Sequence, residues 1–211
     1  IKYDNSFPSK FNYNFMDISI IETLKIDPDN DLFEMLDIIQ KWDRKTDIDS
    51  QGAGIYGVLY YQLVRRYRNE IQKNNNTVSK ETLLSALADT KAYLIDNFGS
   101  INTTLGDFQK LVRGDKEIPI WGLPDVITAM SSRPYKDGKH KVTQGESYIG
   151  LVRFNKEGPV LESIISFGNS DNPKSDHYTD QMDLYSKFKT KKMTFDKEQI
   201  YTKAKSIYHP N

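Results

Sequence analysis

Five apolar side chains placed four residues apart, Ile55, Leu59, Leu63, Tyr67 and Ile71, constrain this chain more than any other feature of its sequence. That spacing lays a stripe along one face of an α-helix, and the stripe needs a partner surface over several turns. Helical signals flank it on both sides. Upstream, Asp29 or Asn30 can cap a helix in which Leu32, Phe33, Leu36, Ile39 and Trp42 share a face, and Ser50 offers a cap for the stripe itself. Downstream, residues 73–77 (KNNNT) read as a polar turn. Ser79 then opens a third helix carrying Leu83, Leu84, Leu87, Tyr93, Leu94 and Phe98, which stops near Gly99.

From Gly106 the pattern changes. Pro119, Trp121, Gly122 and Pro124 break any helix, and residues 133–140 (RPYKDGKH) read as a polar loop with an Asp-Gly turn signal. Residues 148–154 and 160–167 look like two strands joined by a hairpin connection at 155–159 (NKEGP). After a loop rich in Gly, Asn, Ser and Asp, Thr194 caps a last helix through Ile207. The expected class is α+β, a helical segment over residues 29–99 followed by a β-rich segment over 100–211 with antiparallel strands and a C-terminal helix. Residues 1–28 lack periodicity. Their apolar side chains, among them Phe11, Tyr13, Phe15 and Met16, read as an extended arm that leans on polypeptide not in this sequence.

Charge excludes some partners. Lys plus Arg (29) balance Asp plus Glu (29), so neither nucleic acid nor an anionic membrane is held by bulk electrostatics. The densest basic stretch, residues 187–192 (KFKTKK), reads as solvated surface. Cysteine is absent, which removes thiol catalysis, thiolate metal sites and disulfides together. No apolar run of about 18 residues suggests a membrane span. The chain opens on Ile1 without a signal peptide, and a processing boundary is the expectation there.

Of three histidines, His209 is expected to be mobile near the end and His140 to be solvated in its charged loop. His177 sits in FGNSDNPKSDHYTDQ, residues 167–181. That loop could supply a triad of Ser170 or Ser175 with His177 and Asp171 or Asp180, although triads usually gather from distant segments and no nucleophile elbow is present. It could also offer His177, Asp171, Asp176 and Asp180 to a metal, although no second histidine accompanies them. The plainer reading is a polar loop that hydrogen-bonds itself and fixes a strand exit. Trp42, Asp43 and Arg44, followed by Asp47, Asp49 and Ser50, are explained by a capped helix start with Trp in the core. Residues 144–147 (QGES) read as a turn. There is no P-loop, dinucleotide fingerprint or zinc signature, so no cofactor and no metal are expected.

The order of motifs resembles one family. WDRKTDIDSQGA (42–53), GDFQKLVRGDKEIPIWGLP (106–124), QGESYIGLVRF (144–154) and FGNSDNPKSDHYTDQ (167–181) are similar, in sequence order, to motifs of the penicillin acylase family, nearer its acyl-homoserine lactone and aculeacin acylase branch. Leu184, Tyr185 and residues 194–200 continue the likeness. The resemblance implies a fragment of an αββα N-terminal-nucleophile hydrolase. In such enzymes self-cleavage exposes a serine whose own α-amino group is the general base, while an oxyanion hole and an asparagine stabilise the tetrahedral intermediate. Ile1 cannot be that serine, and neither Asn5 nor Asn12 reproduces the asparagine motif, so no catalytic residue is carried over.

What carries over is the terminal signature, Gly168, Ser170, Pro173, Ser175, His177, Tyr178, Asp180 and Gln181, as structural support. The resemblance further implies that the partners are the remainder of an acylase, its α-chain and the N-terminal part of its β-chain. The substrate would be a small N-acyl compound and the location periplasmic or secreted. Two alternatives stand beside it: a non-enzymatic module that binds a partner through residues 1–28, and an independent hydrolase built on His177.

Overall fold

The computed structural model describes residues 21, 23–75, 77–124 and 126–207; most of the arm expected at 1–28 lies outside them, as does His209. The chain divides into two compact units, Ile1–Gly145 and Glu146–Asn211.

The first unit begins with helices. They are α1 (Phe33–Gln40), α2 (Gln51–Arg65), α3 (Arg68–Lys73), α4 (Lys80–Phe98) and the single turn α5 (Leu105–Phe108). Their starts and stops follow local chemistry. The Ser50 hydroxyl accepts from the Ala53 N–H and that of Ser79 from the Thr82 N–H, while Gly99 closes α4 in the left-handed region at φ 74°. Thr104 and Asp107 form a reciprocal capping box on α5. The first helix starts later than expected, at Phe33 with Leu32 as its cap. Asn30 instead accepts the Leu32 N–H at 2.9 Å, which completes a turn ahead of the helix.

The apolar stripe is the core of this unit: Ile55, Leu59 and Leu63 are each 0% exposed and Ile71 is 3% exposed. It does not ride on one helix, however. The helix breaks after Arg65 and restarts at Arg68, although no Gly or Pro marks the place. Tyr67 donates to Asp89 on α4 at 2.5 Å and Arg66 pairs with the same carboxylate at 3.2 Å, so the break falls where both side chains reach one tertiary partner.

Backbone meets backbone where α2 starts. The Ser50 carbonyl accepts the Gly54 N–H at 3.1 Å and the Leu105 N–H at 3.0 Å. The Ile48 carbonyl accepts from Gly106 at 2.8 Å and that of Thr46 from Gly122 at 3.1 Å. Such an approach leaves no room for side chains: a Cβ on Gly54 would lie 2.2 Å from the Thr103 carbonyl oxygen, and one on Gly52 2.3 Å from Trp42 Cγ. Trp42, half-buried against the core, also donates its indole N–H to the Lys45 carbonyl at 2.8 Å. The residues of 42–53 are thus accounted for as a packed junction.

The sheet of the first unit has four short strands, β1 (Gln109–Arg113), β2 (Lys116–Pro119), β3 (Met130–Pro134) and β4 (His140–Gly145), in the order β2-β1-β4-β3. Two hairpins make the antiparallel pairs, but β1 and β4 run parallel, with Gln109 opposite His140, which departs from an all-antiparallel expectation. The Asp-Gly signal is realised between β3 and β4. Asp137 and Gly138 take φ of 53° and 66°, the mirror-image turn that suits strand twist.

The second unit carries β5 (Tyr148–Asn155), β6 (Gly158–Ile165) and β7 (Lys191–Met193) in that order, with α6 (Met182–Ser186) packed against β6 and α7 (Lys197–Lys203) near the end. The β5–β6 hairpin is tighter than expected. Asn155 pairs with Gly158, so only Lys156 and Glu157 form the connection. The last helix is capped by Asp196, not Thr194, and stops at Lys203, short of Ile207. The Asp196 carboxylate accepts two helix N–H groups where the Thr194 hydroxyl accepts one, from Asp196 itself. In the basic stretch 187–192 Lys187, Lys189 and Lys192 are exposed and the rest half-buried, and its end enters the edge strand β7, where lysines keep an open sheet edge soluble. On β5, Tyr148, Val152 and Phe154 alternate onto one face and are exposed by 56%, 56% and 82%.

The close approach at α2 generates a direct expectation. Gly54→Ala forces a methyl group onto a carbonyl that cannot yield without moving α5, so it lowers stability by about 3 kcal/mol in denaturant titration. Gly99→Ala meets no neighbour and loses only the left-handed preference, about 1 kcal/mol.

Candidate functional site

The signature loop connects β6 to α6, and several of its polar groups bond within the loop. The Ser170 N–H donates to the His177 carbonyl at 3.2 Å, and the Gln181 N–H donates to the Phe167 carbonyl at 2.8 Å, so the two limbs of the loop are tied together. The Ser170 hydroxyl accepts the Asn172 N–H at 3.2 Å and that of Ser175 accepts the His177 N–H at 3.1 Å. Between them, Asn172 accepts from Lys174 at 3.0 Å. Pro173 sits exposed at the tip, and Tyr178 closes a turn on the Ser175 carbonyl at 3.0 Å.

At the base of the loop Gln181 is 3% exposed, and its side-chain oxygen accepts the Ile165 N–H of β6 at 3.3 Å. Gly168 faces the opposite limb so closely that a Cβ there would lie 2.1 Å from the His177 carbonyl oxygen.

Chemistry at this loop is limited. His177 Nδ1 meets Asp180 Oδ2 at 2.9 Å, with side chains 60% and 37% exposed. A histidine–carboxylate pair therefore exists, but both candidate serines turn their hydroxyl oxygens to backbone N–H groups. Among the described residues no three His, Asp or Glu side chains gather as a metal ion would require, so Asp171, Asp176, His177 and Asp180 are not brought together as ligands. The connection at 144–147 is a short link, with β4 ending at Gly145 and β5 starting at Tyr148.

A second constellation, in the first unit, was not legible from the residues alone. His140 is not solvated: it is the first residue of β4, 4% exposed, with its ring centroid 4.5 Å from Phe108 and 4.7 Å from Tyr61. The charged neighbours in RPYKDGKH misled the reading, because the turn is confined to residues 136–139 and the strand begins directly after it. His140 Nδ1 lies 3.3 Å from Ser132 Oγ, which is 3.1 Å from the Tyr61 hydroxyl. The Ser132 N–H donates to that same hydroxyl at 2.7 Å, and Arg65 donates to the Ser132 carbonyl at 3.0 Å while stacking over the Tyr61 ring at 4.8 Å. Burial, with the Arg65 charge nearby, pushes the imidazole down to about 3, so the ring is neutral at ordinary pH. Burial also raises the Tyr61 hydroxyl.

The penicillin amidase family model matches residues 10–202. The chain belongs to the penicillin amidase family. Among similar family proteins, an acyl-homoserine lactone acylase PvdQ from Pseudomonas savastanoi pv. phaseolicola (strain 1448A / Race 6) is 29% identical over 184 residues, 77% of this chain and 23% of its own length. A PvdQ from Pseudomonas fluorescens (strain Pf0-1) is 34% identical over 101 residues, 46% of this chain and 13% of its own. An aculeacin-A acylase from Actinoplanes utahensis is 27% identical over 174 residues, 74% of this chain and 21% of its own. The chain thus matches between 13% and 23% of the length of these penicillin amidase relatives. A thermostable penicillin G acylase from Alcaligenes faecalis shares 13% identity, with a TM-score of 0.42 over 92% of this chain and 44% of that one.

Two outcomes follow from the geometry. Gly168→Ala drives a methyl group into the facing limb and lowers the thermal midpoint clearly, by the equivalent of about 2 kcal/mol, whereas His177→Ala removes only an exposed pair and costs under about 1 kcal/mol. The His140 ring protonates more readily unfolded, near pH 6.5, than folded, near 3. Its neutral burial therefore stabilises the fold fully above about 6.5, and that stability is lost progressively as pH falls toward 3. Unfolding titrations of His140→Gln across that window are expected to show a flatter acid limb than those of the unaltered chain.

Proposed function

We propose that this chain is the C-terminal part of an amide-hydrolysing acylase and lacks the catalytic nucleophile. The observation that carries the reading is the penicillin amidase match over residues 10–202, combined with a signature loop whose serines and histidine are committed to structural hydrogen bonds. In this reading Gly168, Ser170, Pro173, Ser175, His177, Tyr178, Asp180 and Gln181 act as scaffold: they hold the exit of β6 and the start of α6 in place around a reaction centre supplied elsewhere. The units contribute helices and strands to an αββα body completed by other polypeptide, the α-chain and the N-terminal part of the β-chain. The exposed strip Tyr148, Val152 and Phe154 fits that picture, because an apolar strand face of this kind normally has a cover.

The chemistry follows from what amide hydrolysis needs. A serine is a weak nucleophile until a base lies within hydrogen-bond reach, and the tetrahedral oxyanion needs donors fixed in advance. Neither requirement is met by the His177 loop, so both are assigned to sequence beyond these residues. The relatives' names point to acyl-homoserine lactones or aculeacin A as substrates, and penicillin side-chain amides are a further class. A periplasmic or secreted location goes with this reading.

The test is hydrolysis of a panel of N-acyl amides by the complete protein carrying this sequence, beside residues 1–211 alone. Turnover by the complete protein with none from residues 1–211 is the expected result. Turnover by residues 1–211 would overturn the division of labour and return attention to Ser170, Ser175 and His177. Inactivity of the complete protein against every amide in the panel would sink the acylase reading itself.

A further inference from the structure

The cavity over His140 is a built site whose chemistry the acylase reading leaves unused. It measures about 170 Å³, and among its walls are Val58, Tyr61, Tyr93 and Phe108, with Gln62, Arg65 and His140 supplying polar and charged groups. Its size is close to that of a cavity of about 150 Å³ that accepts one benzene ring in another protein. Among the described residues no acidic side chain lines it, and Arg65 makes no ion pair.

The polar end is directional. The Tyr61 hydroxyl accepts both the Ser132 N–H at 2.7 Å and the Ser132 hydroxyl at 3.1 Å, and Ser132 Oγ lies 3.3 Å from His140 Nδ1. The His140 ring joins this network through Nδ1, and its Nε2 has no hydrogen-bond partner among the described residues. The cavity thus offers the spare guanidinium donors of Arg65 beside aromatic surface, with the Gln62 amide and the His140 ring as neutral polar groups. A guanidinium without an acidic neighbour in the lining, set beside aromatic rings, is complementary to a flat apolar anion.

We propose that this cavity binds a small aromatic carboxylate, its ring between Tyr61, Tyr93 and Phe108 and its carboxylate against Arg65. The site is independent of amide hydrolysis. It stands on the geometry of the first unit alone.

The experiment is a calorimetric titration of the complete protein carrying this chain with sodium benzoate, benzamide and benzylamine, three probes of one shape and different polar heads. Saturable benzoate binding at least tenfold tighter than benzylamine is expected, since the cation would face Arg65. Arg65→Gln should weaken benzoate by about tenfold or more and leave benzamide nearly unchanged, while Arg65→Lys keeps part of the benzoate affinity. Thermal midpoints of both variants show whether the lost Ser132 contact has disturbed the fold, and the three-probe comparison on the unaltered protein needs no variant. Failure of benzoate to saturate, equal binding of benzylamine, or a folded Arg65→Gln protein that binds benzoate as before would each overturn the proposal.

Discussion

Three carbonyl groups ahead of α2 hold the first unit together. Those of Thr46, Ile48 and Ser50 receive N–H groups from Gly122, Gly106 and Leu105, so one short segment closes onto the turn before β1 and onto the loop after β2. Backbone groups that bond at such close range exclude side chains, and glycines at 52, 54 and 106 supply the space. Trp42 then covers Gly52, and Ser50 starts the helix that carries the stripe. Removing any one of these leaves buried polar groups unpaired, which costs more than the net worth of the bond they made.

The helical half of the chain was largely legible because its signals are local. Ser50, Ser79 and Gly99 are caps that act on neighbours within a turn, and the four-residue spacing from Ile55 to Ile71 survives even though the helix breaks at Arg66. The break itself was not legible, since its partner Asp89 lies on another helix. In the second unit the strands were seen but their turn was overestimated. Gly158 pairs with Asn155 instead of bending, which a loop-like composition hides. The four strands of the first unit escaped recognition for a different reason: each is short, and β1 meets β4 in parallel over only two residue pairs. So brief a strand shows little alternation.

The two candidate sites were legible to very different degrees. The signature loop stood out because Ser, Asn and Asp at close spacing announce self-bonded turns, and Ser170, Asn172 and Ser175 behave as such. The cluster at His140 drew no attention. Its members Tyr61, Arg65, Ser132 and His140 come from three elements, and the histidine is surrounded in sequence by lysines that point elsewhere. A parallel pairing that sets His140 beside Gln109, both almost without exposure, could not be read from either strand by itself.

The junction at Thr46, Ile48 and Ser50 also bears on how the chain finds its structure. Helices α2 and α4 can form and dock through contacts near in sequence, but the donors for these carbonyls arrive only after α4 has been made and the chain has turned into β1. Closing those long loops carries an entropic cost before any contact offsets it. Sequence separation thus favours a helical pair that forms ahead of the sheet, with the carbonyls of Thr46 and Ile48 in water until their partners arrive. In a chain that grows from its N-terminus, the segment at 46–50 emerges well before Leu105, Gly106 and Gly122, the residues whose N–H groups it receives.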